Sequence, residues 1–425
     1  MKSTQIFIVL CACVFIFSCI EEIPLETQTT FDEVLIIEST ITDELKTQTI
    51  HLSKSFRLDA EGPNLVSNAT VAVKDELGNN YIFSETEPGV YSSAIQFAAQ
   101  PNIKYSLEVI ENGITYTSTQ ESFSQPTQID QLYLERDFNE NNQEGISIYV
   151  DTFDPTGNSK RYRYEYEETY KIIAPRYSLF ELIDLEAPLP VLLSNFNNIQ
   201  EIQDYFVSLV PREEQVRICY NTTNSNTIII TDTNNFPEDR LEQHRVRFIS
   251  RNNPIMSHRY SILVKQFVQS PAAYNFYQVL KEFSISESVF SENQPGFLEG
   301  NLSVSAGNDN KKVAGFFEVN PTDSKRIFFN YDDEFPNEAR PPYFIPCTAE
   351  MYPLLFRVDP TPAIPPRIIE SDVVDILRNE YIYLDQNPGD NANFLPPLHP
   401  FVMVQRPCGD CTALGSTTVP DFWVE

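Results

Sequence analysis

The sequence predicts a mainly β protein, with a β-sandwich at its N-terminal end and a larger β-rich domain with one or two short helices after it. Three observations support this fold class. Short segments of alternating apolar and polar residues recur from residue 31 onward, turn signals separate them, and helical spacing is clear in one segment only. Short strands with frequent turns are typical of β-sandwiches.

Residues 1–18 have the parts of a signal peptide. Lys2 supplies the positive start, and 12 apolar residues follow at 6–17. A membrane-spanning helix needs roughly 20 apolar residues, so this run is too short, and its flanks fit a segment that is removed on export. Ile16-Phe17-Ser18-Cys19 resembles the lipobox of bacterial lipoproteins, although Phe17 is bulkier than the usual residue. We expect lipidation of Cys19; the alternative is an ordinary secretory signal with a chance cysteine.

Residues 19–30 form a short polar tether that begins with acids. Glu21 and Glu22 resemble the acidic export signal that directs lipoproteins to the outer face of the outer membrane in Bacteroidota. This predicts a protein of the outer membrane that is lipid-anchored at the cell surface. The alternative is a solvated acidic spacer, and the protein would then lie on the periplasmic face of that membrane.

A first domain is predicted over residues 31–123, close to the ~100 residues of a typical sandwich. Asn112-Gly113 indicates a tight hairpin. Residues 101–109 resemble the strand of immunoglobulin-like and fibronectin-like domains that carries a buried tyrosine near its start, and Tyr105 is the matching residue. The predicted strands cover residues 34–37, 50–52, 71–73, 81–83, 89–91, 105–109 and 114–117.

A linker at 124–127 precedes the larger β-rich domain, which is predicted over residues 128–425. Alternation over 161–169 predicts a strand with one buried face, with Tyr162, Tyr164 and Tyr166 on one side and Arg161, Arg163, Glu165 and Glu167 on the other. Further strands are predicted at 227–231, 245–249, 260–267, 313–319 and 326–330. Ser270 and Pro271 indicate the start of a helix that continues through residue 280, and a second short helix is predicted at 372–378. Nine prolines between Pro336 and Pro366 predict an extended, irregular stretch.

The charge balance narrows the possible partners. The chain has 60 acidic and 30 basic residues and a net charge of −30. Phosphate backbones repel so acidic a protein, which argues against nucleic-acid binding. The same charge argues against binding to an anionic lipid surface.

Four cysteines lie beyond the signal and the lipidation site: Cys219, Cys347, Cys408 and Cys411. An even number in an exported protein predicts disulfides, and four cysteines allow three pairings among which the sequence does not choose. The Cys408–Cys411 motif also has two other interpretations, as a redox site or as half of a zinc site. Pro407 and Gly409 indicate a turn rather than the helix start that a redox cysteine needs, and nearby zinc ligands are missing.

No catalytic motif stands out in the sequence, which favours a non-enzymatic protein. Paired acids such as Asp332-Asp333-Glu334 could serve a glycosidase, which needs two carboxylates flanking the bond. Among 60 acidic residues such pairs arise by chance, so a solvated surface is the favoured interpretation and a hydrolase on a β scaffold is the less favoured alternative. We predict no metal centre and no cofactor. The alternative is a calcium ion bound by the oxygen-rich loops at 151–154, 308–310 or 385–391. Ordinary turn chemistry also explains these loops.

The chain resembles a family known as domain of unknown function 4249, whose members are Bacteroidota lipoproteins. The resemblance covers nearly the whole mature chain, apart from a longer proline-rich stretch before Ile368. It rests on residues 34–39, 162–170 and 274–280, on Gln294-Pro295-Gly296, Gly300-Asn301 and Gly315-Phe316-Phe317, and on Cys408-Gly409-Asp410-Cys411 with Pro420-Asp421-Phe422-Trp423. The resemblance implies a TonB-dependent outer-membrane transporter as a frequent genetic neighbour, and it implies no reaction and no catalytic residue.

These observations predict an accessory or substrate-binding partner of such a transporter. The alternative is a structural or adhesive protein of the cell surface. The proline-rich stretch offers a candidate partner surface, made of Tyr343, Phe344, Tyr352 and Phe356. Tyrosine supplies contact area and a hydroxyl at low entropic cost. The other interpretation of this stretch is a loop packed on its own domain.

The anchor yields a direct prediction. Cys19→Ala should abolish incorporation of labelled palmitate and release the protein from the membrane pellet, because each buried methylene of the lipid contributes about 0.8 kcal/mol of membrane affinity. Cys13→Ala, which changes a cysteine inside the signal, should leave both measurements unchanged. Label retained by the Cys19 variant would show that the lipid is attached elsewhere.

Overall fold

The computed structural model describes residues 33–56, 62–123, 125–285, 298–308, 311–361, 365–387 and 399–425. The predicted signal and tether lie outside the described residues, as do Cys19, Glu21, Glu22 and Gln294-Pro295-Gly296.

The described chain contains 26 β-strands and five short α-helices. The strands are β1 (Leu35–Thr42), β2 (Thr49–Lys54), β3 (Asn64–Leu65), β4 (Thr70–Asp75), β5 (Asn80–Glu87), β6 (Val90–Ser93), β7 (Tyr105–Glu111), β8 (Ile114–Ser118), β9 (Ile129–Phe138), β10 (Glu144–Phe153), β11 (Arg161–Ile173), β12 (Phe180–Asp184), β13 (Val191–Leu192), β14 (Val207–Pro211), β15 (Ile218–Asn224), β16 (Ile229–Asp232), β17 (Arg240–Ser250), β18 (Arg259–Val268), β19 (Leu302–Val304), β20 (Val313–Asn320), β21 (Thr322–Asn330), β22 (Glu350–Met351), β23 (Arg357–Val358), β24 (Arg367–Glu370), β25 (Tyr381–Gln386) and β26 (Phe401–Gln405). The helices are α1 (Ile199–Phe206), α2 (Pro271–Ile285), α3 (Tyr331–Glu334), α4 (Asp372–Arg378) and α5 (Arg406–Gly409).

The mainly β fold class is confirmed, and both predicted helices are present as α2 and α4. The Ser270 hydroxyl accepts a hydrogen bond from the Ala273 N–H at 3.2 Å, as an N-cap should. Tyr105 is buried, and its hydroxyl accepts a hydrogen bond from the Gln100 N–H at 2.9 Å. That contact ties the start of β7 to the backbone just upstream, as the resemblance to immunoglobulin-like strands implies.

A ten-stranded sheet, called the first sheet below, forms the N-terminal body. Its strand order is β19-β8-β7-β4-β5-β6-β2-β1-β20, and β3 pairs with β2. Alternate residues of β1 point inward, so that Leu35, Ile37 and Ile41 join one apolar core. The outermost strands β19 and β20 lie side by side, so the sheet curls around this core and nearly closes on itself.

Gly300, Gly315 and Asn301 allow the close approach of β19, β20 and β1 at the point where the sheet nearly closes. A Cβ on Gly300 would lie 1.7 Å from the Gly315 carbonyl oxygen, and one on Gly315 would lie 2.0 Å from the Ile37 carbonyl oxygen. The Asn301 side chain donates to the Phe317 carbonyl and accepts from the Phe317 N–H, both at 2.8 Å. Asn301 therefore satisfies the edge of β20 much as a neighbouring strand would. This explains why the Gly300-Asn301 and Gly315-Phe316-Phe317 motifs occur together.

The first body is not contiguous in sequence, which differs from the predicted boundaries of 31–123 and 128–425. β20 pairs with β1 in parallel, from Leu35 opposite Val313 to Thr42 opposite Asn320. Parallel neighbours need a long connection, and here the other strands of the first sheet and most of the second body lie between β1 and β20 in sequence. Alternation indicated β20 correctly as a strand, but alternation does not specify which sheet a strand joins.

Two further sheets pack face to face as the second body. One has the order β17-β10-β9, and the other has the order β15-β11-β18-β21 with β16 beside β11. Tyr162, Tyr164 and Tyr166 of β11 lie in the apolar core between them, as their alternation predicted. A third, smaller core gathers α1, α4 and the short strands on either side of them in sequence, with Phe206, Leu355, Ile368 and Phe401 inside it.

Both predicted disulfides are formed, as Cys219–Cys411 and Cys347–Cys408. The Cys-Gly-Asp-Cys motif therefore attaches two distant segments to one point near the C-terminus. The turn predicted at Pro407 and Gly409 is instead one helical turn, α5. Proline is tolerated in the first turn of a helix, because its missing N–H would have no partner there. A Cβ on Gly409 would lie 2.7 Å from the Arg176 carbonyl oxygen, which accounts for that glycine.

The C-terminal segment packs on the five-stranded sheet of the second body. The Trp423 ring lies 5.0 Å from the Tyr220 ring and 5.8 Å from the Phe328 ring. The Arg326 guanidinium lies 3.5 Å from the centroid of Phe422. The Pro-Asp-Phe-Trp motif thus covers one face of that sheet.

Asn301→Ala should lower the free energy of unfolding by about 3 kcal/mol, because it leaves backbone groups of β20 unpaired. Urea unfolding provides the measurement. Asn234→Ala, which removes an exposed side chain, should stay within about 0.5 kcal/mol of the wild type. If the two variants were equally stable, Asn301 would not be what closes the sheet.

Candidate binding cleft

A cleft of about 1040 Å³ lies between the first sheet and the second body. Its walls are the outer face of β1 and β20, the face of β11 and β18 that points away from the tyrosine core, the helix α2, and the loop between β15 and β16. Ligand pockets commonly enclose about 300–1,000 Å³. This cleft is therefore large enough for a small molecule of substantial size.

The first sheet contributes the outward residues of its strands. In β1 the alternation that buries Ile37 turns Ile36, Glu38 and Thr40 toward the cleft. Phe316 of β20 is the register partner of Glu38, and His51 of β2 lies on the other side of Glu38.

The opposite wall comes from β11, β18 and α2. Glu165 of β11 and Lys265 of β18 are register partners, and both line the cleft. On α2, Phe276, Leu280 and Phe283 are spaced by four and three residues, so they share one face of the helix and line the cleft together. The Phe276 ring lies 5.5 Å from the Phe316 ring, which joins the helix to the first sheet.

The two bodies meet at a buried ion pair between Arg163 of β11 and Glu318 of β20. The Arg163 Nη2 lies 2.6 Å from the Glu318 Oε1, and the two side chains are 6% and 1% exposed. Thr40 and Tyr277 also donate to Glu318, at 2.8 and 3.1 Å. The Arg163 guanidinium lies between two rings, 4.2 Å from the centroid of Phe267 and 4.7 Å from that of Tyr277. The cleft opens beside this contact.

The surroundings of the pair favour its charged form. Burial alone would raise the pKa of Glu318, but Arg163 and the hydrogen bonds from Thr40 and Gln269 hold that pKa below its usual 4.5. Burial would lower the pKa of Arg163, and Glu318 instead raises it. Burial and the neighbouring Glu318 both raise the pKa of Tyr277, so its hydroxyl stays protonated and donates.

The other cations that line the cleft are also paired. Lys46 lies 2.7 Å and Lys265 lies 2.5 Å from the same Glu44 carboxylate oxygen. Burial lowers the pKa of Lys265, and the contact with Glu44 only partly opposes this effect. Burial would raise the pKa of Glu44, but the contacts with Lys265 and Lys46 lower it instead. Arg163 also contacts Glu165.

Among the lining carboxylates, Glu167 pairs with Arg326 at 2.7 Å. Glu38 is exposed and, within the part of the chain that the structure describes, has neither an ion-pair partner nor a hydrogen bond from its side chain.

Sequence reasoning missed Arg163 and Glu318 as site residues. The alternation predicts Arg163 on the side of β11 opposite the tyrosines, yet Arg163 is buried because the first sheet and α2 cover that side. The tyrosine-rich sequence around Arg163 does not indicate that this side chain is buried. A better signal was Glu318 itself, a single carboxylate within the apolar segment 313–319, because a charge in such a strand needs a partner.

The predicted partner surface is divided among different environments. Tyr343 and Phe344 pack against the core of the second body, and the Tyr343 hydroxyl donates to the Pro407 carbonyl at 2.8 Å. Phe356 packs against the third core, while Tyr352 is 47% exposed. The structure therefore does not bring the four aromatics together on one exposed face.

The loops considered for calcium use their oxygens internally where they are described. Asp154 accepts backbone hydrogen bonds from Thr156, Asn158 and Ser159 at 2.8–3.0 Å. The loops at 308–310 and 385–391 lie partly outside the described residues. Across the described ranges, no group of three or more histidine, cysteine or acidic side chains is placed to hold a metal ion.

Two of the paired acids considered for catalysis make structural contacts. Asp332 pairs with Arg340, and Asp333 accepts a hydrogen bond from Asn330. His244 of β17 is a mostly buried histidine; burial lowers its pKa to about 4, and its ring centroid lies 5.3 Å from that of Tyr164.

The chain belongs to the family described as Domain of unknown function (DUF4249), whose model matches residues 20–326. No curated protein matches the sequence. Among solved structures, a chain described as "Biofilm associated protein - B domain" is 10% identical over 71% of this chain and 89% of that chain, at a TM-score of 0.13. So weak a likeness carries no argument about fold or function. Within the described residues, none of the helices combines the length and apolar character needed to cross a membrane.

Glu318→Gln should lower the free energy of unfolding by about 3–5 kcal/mol, because it leaves the buried Arg163 without a full counter-charge. Glu165→Gln is the matched control. It removes the half-exposed partner of the same arginine and should cost about 0–1 kcal/mol.

The loss in Glu318→Gln should depend on pH. The folded pKa of Glu318 lies below its usual 4.5, so the stabilisation is present above that pH and disappears as the pH falls through the folded value. Urea unfolding between pH 7 and pH 3 should show the difference from wild type shrinking at acid pH. Equal losses in the Glu318 and Glu165 variants at pH 7 would contradict the assignment.

Proposed function

We propose that this protein is a non-enzymatic lipoprotein, anchored through Cys19 in the outer membrane and exposed at the cell surface, that acts as the substrate-binding partner of a TonB-dependent transporter. The cleft between the two bodies carries this proposal, because it has the size and the mixed lining of a ligand site. The anchor motif and the resemblance to a lipoprotein family whose genes neighbour such transporters support the location and the partner.

The arrangement of the cleft favours binding over catalysis. A hydrolytic site needs a nucleophile beside a base, or two carboxylates on either side of a bond, with groups left free to react. The cleft cations described above are instead held in ion pairs. Side chains held in this way provide a rigid surface for binding a ligand rather than groups that are free to react with it.

Affinity purification of a tagged protein from detergent-solubilised membranes tests the partnership. We expect a TonB-dependent barrel transporter to be recovered with it, and not with an unrelated tagged lipoprotein purified in parallel. Cys19→Ala should reduce the recovery, because the unanchored protein loses the high local concentration that tethering supplies. Recovery without any barrel protein would count against the proposal.

Two further measurements separate the alternatives. Protease added to intact cells should cleave a surface-exposed protein and spare one on the periplasmic face. Deletion of the gene should impair uptake of the transported substrate. Loss of cell adhesion with uptake intact would instead favour the structural or adhesive function, and turnover of any hydrolase substrate would favour an enzyme.

A further inference from the structure

We propose that the cleft binds an organic cation with an apolar body, such as an aryl- or alkylammonium compound, and that Glu38 is its counter-charge. This rests on the proposed function and names the class of ligand for the cleft. The proposal follows from the pairing of the lining charges and from the aromatic side chains beside Glu38.

The lining charges favour a cation over an anion. Arg163, Lys46 and Lys265 already contact the carboxylates of Glu318 and Glu44, so an anionic ligand would have to compete with existing ion pairs. A cationic ligand could pair with Glu38 without breaking any contact that the described residues make. The net charge of −30 adds a long-range attraction for cations.

The surroundings of Glu38 fit the rest of such a ligand. Phe316 is its register partner on β20, and neighbouring strands lie about 4.8 Å apart. Phe316 in turn packs against Phe276, and Leu280 and Phe283 continue the same face of α2. A carboxylate next to aromatic rings recognises an ammonium group through both its charge and the cation–π attraction. The apolar face of α2 would then cover the body of the ligand.

Three probes with the same phenylbutyl body test this proposal: 4-phenylbutylammonium, 4-phenylbutanol and 4-phenylbutanoate. The protein is the chain without its predicted signal at 1–18 and with Cys19→Ala, which removes the lipid and the need for detergent, and binding is measured by isothermal titration calorimetry. We expect the ammonium compound to bind about tenfold more tightly than the alcohol, and the carboxylate to bind least.

Two matched variants locate the interaction. Glu38→Gln keeps the size of the side chain and should remove the advantage of the ammonium compound over the alcohol. Glu140→Gln, an exposed acid in the β9–β10 turn, should change neither affinity.

Equal affinity for the ammonium compound and the alcohol would overturn cation selectivity, as would an advantage that survives Glu38→Gln. Absence of binding by all three probes would overturn the ligand class. Neither result bears on the partnership with the transporter, which the affinity purification tests independently. Failure of this inference is therefore distinguishable from failure of the proposed function.

Discussion

The buried ion pair of Arg163 and Glu318 is the interaction on which the arrangement of the two bodies depends. Each charge is nearly excluded from water, and a lone charge in that position costs several kcal/mol. Each residue therefore requires the other. Glu318 belongs to β20, which closes the first sheet, and Arg163 belongs to β11, which is central to the second body. The pair thus fixes the closing strand of one body against the middle strand of the other.

The cleft is a consequence of this contact. Its two walls meet at the ion pair, and α2 bridges them, since Tyr277 donates to Glu318 while Phe276 packs on Phe316. The strands and the helix therefore determine the position of the walls, and rigid elements hold ligand-binding groups more precisely than loops do. The position of Glu38 is equally determined, because β1 is paired on both sides, with β2 and with β20.

Local patterns predicted the local structure well. The strand alternation around Tyr162–Tyr166, the Ser270 cap and the short helix at 372–378 depend on neighbours in sequence, and all are present. The pairing of β1 with β20 joins residues 278 positions apart at the Thr40–Glu318 contact, and a single sequence contains no signal for that choice. The burial of Arg163 was missed for the same reason, since the elements that cover it arrive from elsewhere in the chain. The pairing of the four cysteines was not predicted either, because spacing alone does not select among three possible pairings.

Under the proposed function, the anchor explains why a site of modest ligand affinity would be sufficient for delivery to the transporter. The 12 residues of the tether at 19–30 reach at most about 40 Å when fully extended. Two membrane partners held within such a distance meet at an effective concentration near the millimolar range. A cleft whose lysines and arginine already form ion pairs gains little from rearranging them, and under the proposal it binds its ligand through the Glu38 carboxylate and an aromatic wall. Such a site releases its ligand readily, which suits a protein that must deliver the ligand to a neighbouring transporter.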